Sequence, residues 1–170
     1  MKTESQKILL IGYGNPARAD DGLGPAIADS IEYKNLPGVT VDADYQLTVE
    51  DSAQVAEHDV VIFADASVNC AEPFSFEPLT SRESGSFSSH SVEPAEVMAL
   101  AEKLFKSKAK GFTLAVRGYE FEKFGSPLSE KAKTNLRESV IFLENLVKTK
   151  KLKKYINSLP DLKETSNAER

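Results

Sequence analysis

The most informative segment of the chain spans residues 7–31 and reads KILLIGYGNPARADDGLGPAIADSI. Its apolar run, Ile8–Ile11, is short enough for one buried strand and ends at a glycine. The residues that follow are rich in Gly, Asn, Pro and Asp, which indicates a loop. Apolar residues then recur at the spacing of one helix face, at Leu23, Ile27 and Ile31. The segment therefore predicts a strand, a loop and a helix.

The same alternation continues along the chain. Further strands are predicted at Val39–Ala43, Asp59–Ala64, Phe74–Leu79 and Phe112–Val116. Further helices are predicted at Val49–Ala56, Pro94–Phe105 and Pro127–Lys148. Strands that alternate with helices imply an α/β fold, with a mostly parallel sheet between helix layers on both faces.

A length of 170 residues suits one domain, and we assign residues 1–149 to a single α/β domain. Residues 150–170 form a polar, lysine-rich tail. Four residues keep a helical spacing there, so we expect the first half to prolong the last helix and the last ten or so residues to fray. These four are Leu152, Tyr155, Ile156 and Leu159.

Composition narrows the functional classes. A net charge of −5 argues against a general nucleic-acid-binding protein, which needs a basic face. No apolar stretch is long enough to span a bilayer, and the short apolar run behind a polar start does not suit a signal peptide. A single cysteine, Cys70, excludes an internal disulfide and a cysteine metal cluster. We therefore expect a cytoplasmic protein without membrane insertion.

Two adjacent acids, Asp20 and Asp21, stand where the first helix is predicted to begin. The glycines before them invite a dinucleotide-binding interpretation, but two negative charges at that place would repel a phosphate. One aspartate is readily explained as a helix cap that accepts backbone N–H groups. With two, at least one side chain is left to point elsewhere.

Two further candidates lie far along the chain. Asp65 follows the most hydrophobic predicted strand, at the kind of strand end where open α/β sheets bind ligands. His90 lies in a polar loop ahead of a predicted helix. Each has a simpler alternative, as a loop cap for Asp65 and a solvated loop histidine for His90. Together with Asp20 or Asp21, they would make an oxygen- and nitrogen-rich metal site, which suits nickel, zinc or manganese.

The letters GYGN at 12–15 and DDGLG at 20–24 resemble the opening signature of the nickel–iron hydrogenase maturation endopeptidases. Asp65 and His90 match the second and third signature positions of that family. The resemblance covers about residues 7–148. It implies a twisted five-stranded sheet between helices, and a protease that acts on a hydrogenase large-subunit precursor.

The resemblance also assigns roles to residues. It implies that Asp21, Asp65 and His90 bind metal, and that this metal is nickel already loaded into the precursor. Cleavage would then remove a short C-terminal extension from the large subunit. Nickel is in this case carried by the substrate, and another divalent metal is able to occupy the same ligands.

Two segments depart from the better-known members of the family. Residues 44–50, DYQLTVE, replace an Asp-Gly-Gly-Thr-like stretch, and Gln46 followed by Leu47 resembles the branch that serves bidirectional, NAD-coupled hydrogenases. Residues 117–121, RGYEF, replace a proline-containing stretch. Both segments correspond to substrate-facing loops, and we predict substrate contacts for Asn15 and Gln46.

The sequence offers no convincing serine or cysteine nucleophile. We therefore hypothesise hydrolysis by an activated water, with metal polarising the carbonyl or the water and Asp21 or Asp65 assisting proton transfer. Two alternatives remain at this point. One is a protein that inspects nickel loading without cutting, and the other is an α/β metallohydrolase that acts on small substrates.

Overall fold

The computed structural model describes residues 5–79 and 92–159. The strands in these ranges are β1 (Ile8–Tyr13), β2 (Val39–Asp44), β3 (Val60–Ser67), β4 (Phe74–Leu79) and β5 (Lys110–Arg117). The helices are α1 (Leu23–Lys34), α2 (Asp51–Ala56), α3 (Pro94–Phe105), α4 (Glu130–Lys148) and α5 (Leu152–Asn157). None of these helices is both long and apolar enough to cross a membrane.

The five strands form one sheet in the order β2-β1-β3-β5-β4. Strand β1 pairs in parallel with β2 and β3, and β3 pairs in parallel with β5. Only β4, at one edge, runs antiparallel to its neighbour β5. The predicted mostly parallel sheet is confirmed, and its central strands are continuously apolar because both faces are covered.

Alternating side chains of the central strands divide the core into two parts. On one face, Leu10 and Ile62 belong to a cluster with residues of α1, α4 and α5. On the other face, Leu9 and Phe63 pack with residues of α2 and α3. Successive side chains of a strand point to opposite faces, so one pair of strands supplies both clusters. The predicted three-layer arrangement is therefore confirmed.

The chain leaves α4 after Lys148 and begins a new helix at Leu152. Between them Lys150 adopts a left-handed backbone conformation with φ of 56°. Leu152 is buried, and the Tyr155 ring packs edge-on against Phe76 with ring centroids 5.3 Å apart. Helix α5 thus covers part of the sheet near β4. The polar end that we predict to fray, residues 160–170, lies outside the described residues.

The carboxyl ends of the four parallel strands meet at one edge of the sheet, here called the carboxyl edge. The register aligns Tyr13 with Asp44, and it aligns Gly12 with Ala64. Loops 14–22, 45–50, 68–73 and 118–129 follow the four strands at this edge. The fold therefore gathers residues that are far apart in sequence around the ends of β1 and β3.

Candidate active site at the carboxyl edge

Glycines bring the start of α1 into direct contact with the ends of β1 and β3. A Cβ atom at Gly24 would lie 2.2 Å from the carbonyl oxygen of Tyr13 and 2.7 Å from that of Ala64. A Cβ atom at Gly12 would lie 2.1 Å from the carbonyl oxygen of Gly24. No larger residue fits at either place. The glycine pattern thus serves close helix–strand packing, and this packing fixes the turn that carries Asp20 and Asp21.

Asp20 is fully buried and ties the turn to the loop before α4. Its Oδ2 accepts hydrogen bonds from the backbone N–H of Tyr119 at 2.8 Å and of Glu120 at 3.0 Å. Ser129 donates from its backbone N–H to Oδ1 and from its hydroxyl to Oδ2, both at 2.7 Å. Burial by itself would raise the pKa of Asp20, but these donors outweigh it and lower the pKa. Asp20 therefore has a structural role.

Asp21, the neighbour of Asp20 in the sequence, has a different set of contacts. Its Oδ2 accepts a hydrogen bond of 3.0 Å from the backbone N–H of Asn15, and the side chain is only partly buried. Its negative charge is close enough to Asp65 to raise the pKa of that carboxyl group. The two adjacent aspartates are thus divided between a structural contact and the candidate site.

Asp65 lies inside the carboxyl end of β3, because the strand continues to Ser67 instead of ending at Ala64 as predicted. The extension comes from pairing with β5, which runs as far as Ser67 opposite Arg117. Burial raises the pKa of Asp65 to about 6, with further upward contributions from the charges of Asp21 and Glu93. Hydrogen bonds from the Ala66 N–H, at 2.8 Å, and from Tyr13 act in the opposite direction. Asp65 can therefore exchange a proton near neutral pH.

Sequence reasoning missed two residues of this site, Tyr13 and Glu93. Tyr13 ends β1, and its hydroxyl is a hydrogen-bond partner of Asp65; burial above all, and then the charges of Asp65 and Glu93, raise its pKa. Glu93 caps α3, where its backbone N–H bonds to the Glu96 side chain at 3.3 Å. One face of the sheet carries Leu9, Ile11 and Tyr13 from β1 and Val61, Phe63 and Asp65 from β3. This alternation along the two strands could have predicted that Tyr13 lies near Asp65.

The remaining predicted site residues have different surroundings. The Asn15 side-chain oxygen accepts hydrogen bonds from the Ala17 N–H at 2.9 Å and from the Tyr45 hydroxyl at 2.7 Å. Gln46 is exposed in the loop between β2 and α2. His90 lies outside the described residues. Within residues 5–79 and 92–159, no three His, Cys, Asp or Glu side chains are grouped closely enough to hold a metal ion.

Two carboxylates, of which one raises the pKa of the other, and a partly buried phenol give this edge a defined chemistry. Asp21 and Asp65 supply oxygen atoms of the kind that bind divalent cations when further ligands are added. Asp65, with a pKa of about 6, is also suited to accept a proton from water. The site can thus support either metal binding or general-base catalysis, or both together.

Solved structures share this fold, whereas no protein-family model and no curated protein matches the chain. The hydrogenase maturation protease HycI from Thermococcus kodakarensis aligns with a TM-score of 0.66 at 19% identity, over 86% of this chain and 95% of its own. A hydrogenase 2 maturation peptidase from a Thaumarchaeota archaeon aligns with a TM-score of 0.60 at 22% identity, over 83% and 98%. The endopeptidase HybD from E. coli gives 0.59 at 17% identity, over 84% and 93%.

The chain has the fold of these proteases. It spans nearly the full length of each, so the likeness concerns the whole domain and not a fragment. The fold expected from the resemblance of residues 12–24, Asp65 and His90 is therefore confirmed. The identities of 17–22% leave the activity to be argued from the site.

Proposed function

We propose that this protein is an endopeptidase that removes a C-terminal extension from a nickel-loaded hydrogenase large-subunit precursor. The observation that carries the proposal is the pair Asp21 and Asp65 at the carboxyl edge of this fold, where the charge of Asp21 acts on Asp65. Three of the structures that share the fold are named as hydrogenase maturation enzymes. The opening motif of the chain, residues 12–24, resembles the signature of the same family.

Nickel in this proposal belongs to the substrate, and Asp21, Asp65 and His90 are its ligands on this chain. Two carboxylates and an imidazole suit nickel, and they also accept other divalent ions such as zinc. His90 stands three residues before Glu93, and three residues of chain span at most about 11 Å. The charge of Glu93 acts on Asp65, and this closeness of His90 to Glu93 in the sequence supports His90 as the proposed third ligand.

The residues of the chain divide the hydrolysis between them. Bound nickel would supply Lewis-acid polarisation of the group that is attacked. Asp21 or Asp65 accepts the proton of the attacking water through a carboxylate oxygen that the metal leaves free, and the raised pKa of Asp65, about 6 in the metal-free protein, favours Asp65 for this step. Asp21, held by the Asn15 N–H, would serve as a nickel ligand or orient the water. Tyr13 and the Ala66 N–H hold the Asp65 carboxylate in place.

A protein substrate is favoured by exposed apolar side chains around the site. Tyr45 is 60% exposed, Val68 is 63% exposed and Phe124 is 75% exposed. All three belong to loops of the carboxyl edge. Exposed apolar and aromatic groups beside a polar site are typical of surfaces that bind proteins. We therefore propose the precursor itself as partner, and the cytoplasm as the place of reaction.

Mass spectrometry of mixed, purified proteins tests this function. Nickel-loaded and nickel-free precursors are incubated with the wild-type chain and with Asp65→Asn, Asp21→Asn and His90→Ala. Because Gln46-Leu47 resembles the bidirectional branch, the precursor of an NAD-coupled hydrogenase is the first to try. We expect a short C-terminal peptide from the loaded precursor alone, and a loss of at least about 100-fold in each variant. The exposed Asp29→Asn on α1 is the matched control and should cleave normally.

Three results would contradict the proposal. Normal cleavage by all three site variants would remove Asp21, Asp65 and His90 from the mechanism. A nickel-dependent complex in which the precursor stays full length would indicate a loading checkpoint without protease activity. Turnover of small amides or peptides, together with no binding of any precursor, would indicate a small-substrate hydrolase.

A further inference from the structure

Tyr45 combines an exposed ring with a fixed hydroxyl group. It follows β2 directly, and its side chain is 60% exposed at the carboxyl edge. Its hydroxyl nevertheless donates a hydrogen bond of 2.7 Å to the side-chain oxygen of Asn15. An exposed tyrosine that is held in one orientation is unusual for a purely solvated residue, since ordering a free side chain costs entropy.

Asn15 is the residue through which this contact reaches the candidate site. Its side-chain oxygen also accepts the Ala17 N–H at 2.9 Å, which closes a turn of the Asx type. Its carbonyl oxygen accepts the Arg18 N–H at 3.1 Å, and the Arg18 carbonyl oxygen accepts the Asp21 N–H at 3.1 Å. Its own N–H donates to Asp21 Oδ2 at 3.0 Å. Asn15 thus joins the Tyr45 hydroxyl to the Asp21 carboxylate, whose charge acts on Asp65.

We propose that Tyr45 is a positioning residue: through Asn15, its hydroxyl holds the 15–21 turn and so keeps the Asp21 carboxylate in its hydrogen-bonded position at the Asn15 N–H. This inference rests on the proposed function for its catalytic consequence. The hydrogen-bonded connection from Tyr45 to Asp21 is a property of the chain itself. It can therefore be tested both with and without a precursor.

The hydroxyl is separable from the fold of the two loops. The backbone N–H of Gly14 donates to the carbonyl oxygen of Asp44 at 3.1 Å, and the Tyr45 N–H donates to the Asp44 side chain at 2.8 Å. The first bond joins the end of β2 to the residue that precedes the 15–21 turn, the second is local to the end of β2, and neither involves the Tyr45 hydroxyl. Tyr45→Phe should consequently fold normally and retain the exposed ring while losing only the link to Asn15.

The first experiment measures solvent exchange of the backbone amide proton of Asn15 by NMR in the isolated protein. In Tyr45→Phe we expect this proton to exchange about 3- to 10-fold faster, because a loosened turn weakens its bond to Asp21. Tyr33→Phe removes a hydroxyl from a ring that is 93% exposed on α1, and should leave the rate unchanged. An Asn15 exchange rate that is equal in Tyr45→Phe and wild type would overturn the inference, whatever the activity of the protein.

The second experiment measures cleavage kinetics with the loaded precursor. Tyr45→Phe should lower kcat about 3- to 10-fold with little change in KM, since the ring is retained. Tyr45→Ala should in addition raise KM. In an Asn15→Ala background, Tyr45→Phe should have no further effect, because both changes interrupt the same connection. An undiminished effect of Tyr45→Phe in that background would overturn the inference.

The two experiments separate the proposals from each other. If the wild-type protein releases no peptide but Asn15 exchange responds to Tyr45→Phe, the proposed function fails and the connection stands. If wild type cleaves and Tyr45→Phe matches it in both kcat and Asn15 exchange, the connection fails and the proposed function stands.

Discussion

Asp20 and Asp65 are two carboxyl groups at the same edge of the sheet, and their environments shift the pKa in opposite directions. Asp20 is the more deeply buried, yet its pKa is lowered, because four donors from the loop before α4 surround it. Asp65 is only partly buried, yet its pKa is raised to about 6. It has fewer donors, and the charges of Asp21 and Glu93 act on it.

The difference shows that burial alone does not identify a reactive carboxylate in this molecule. Donors satisfy the charge of Asp20, so it contributes to stability and is unsuited to exchange protons. The charge of Asp65 is left partly unsatisfied, which destabilises the ionised folded state and makes the group useful for chemistry. Asp20 thus contributes to stability, and Asp65 is suited to proton exchange. Replacing Asp20 should lower the stability of the protein, whereas replacing Asp65 should raise it.

The largest effect on stability is expected for Asp20→Asn. The amide has one oxygen where the carboxylate has two, so at least one buried backbone donor loses its acceptor. We expect the free energy of unfolding at pH 7 to fall by about 2–4 kcal/mol. Urea denaturation measures this change, with Asp29→Asn on the exposed side of α1 as the control.

The pH dependence gives this prediction a second test. Because the folded-state pKa of Asp20 is lowered, its stabilisation is complete above the ordinary aspartate pKa of 3.8 and is lost as pH falls through the folded value. The difference between Asp20→Asn and wild type should therefore shrink below about pH 4. A substitution that proves harmless at pH 7 would refute the structural role of Asp20.

Asp65→Asn should have the opposite effect and stabilise the protein. The folded-state pKa of about 6 lies above the ordinary aspartate pKa of 3.8, so the ionised group destabilises the fold at higher pH. Asn carries no charge, and we expect a gain of about 1–2 kcal/mol at pH 8, after allowance for partial exposure. The gain should disappear below about pH 4, where the acid is protonated in both states. Thermal denaturation at pH 4, 6 and 8 measures this gain. A variant that is less stable than wild type at pH 8 would contradict the prediction.

The sequence predicted the framework of the fold well because it is encoded locally. Strands covered on both faces must be apolar, and the continuous apolar runs Ile8–Ile11 and Val60–Ala64 meet this requirement. Helix faces likewise repeat at a fixed spacing. The end of β3 was predicted too early, since the extension to Ser67 depends on pairing with β5 and not on apolarity. The break at Lys150 between α4 and α5 had no clear sequence signal.

The candidate site was predictable only in part. The strand-end position of Asp65 follows from the alternation of strands and helices, but the division of labour between Asp20 and Asp21 does not. The donors to Asp20 belong to Tyr119, Glu120 and Ser129, about a hundred residues further along the chain. No local pattern specifies such contacts. Tyr13 could have been found from strand phase, whereas the effect of Glu93 depends on how α3 packs.

The smallest predicted effect concerns the hydrogen bond that Tyr13 makes with Asp65. This bond lowers the pKa of Asp65, so Tyr13→Phe should raise that pKa by about 0.5–1 unit. A proton acceptor must be ionised to act, so the rising limb of kcat/KM for the proposed cleavage, which reports the protein before it binds the nickel-loaded precursor, should move to higher pH by the same amount. The loss would be several-fold near pH 6 and slight at pH 8, where Asp65 is ionised in both proteins. Rates measured from pH 5 to 9, with Tyr33→Phe as the control, test this expectation. A loss that is equal at every pH would mean that Tyr13 does not act through the charge of Asp65, and that the contrast with Asp20 rests on burial and neighbouring carboxylates alone.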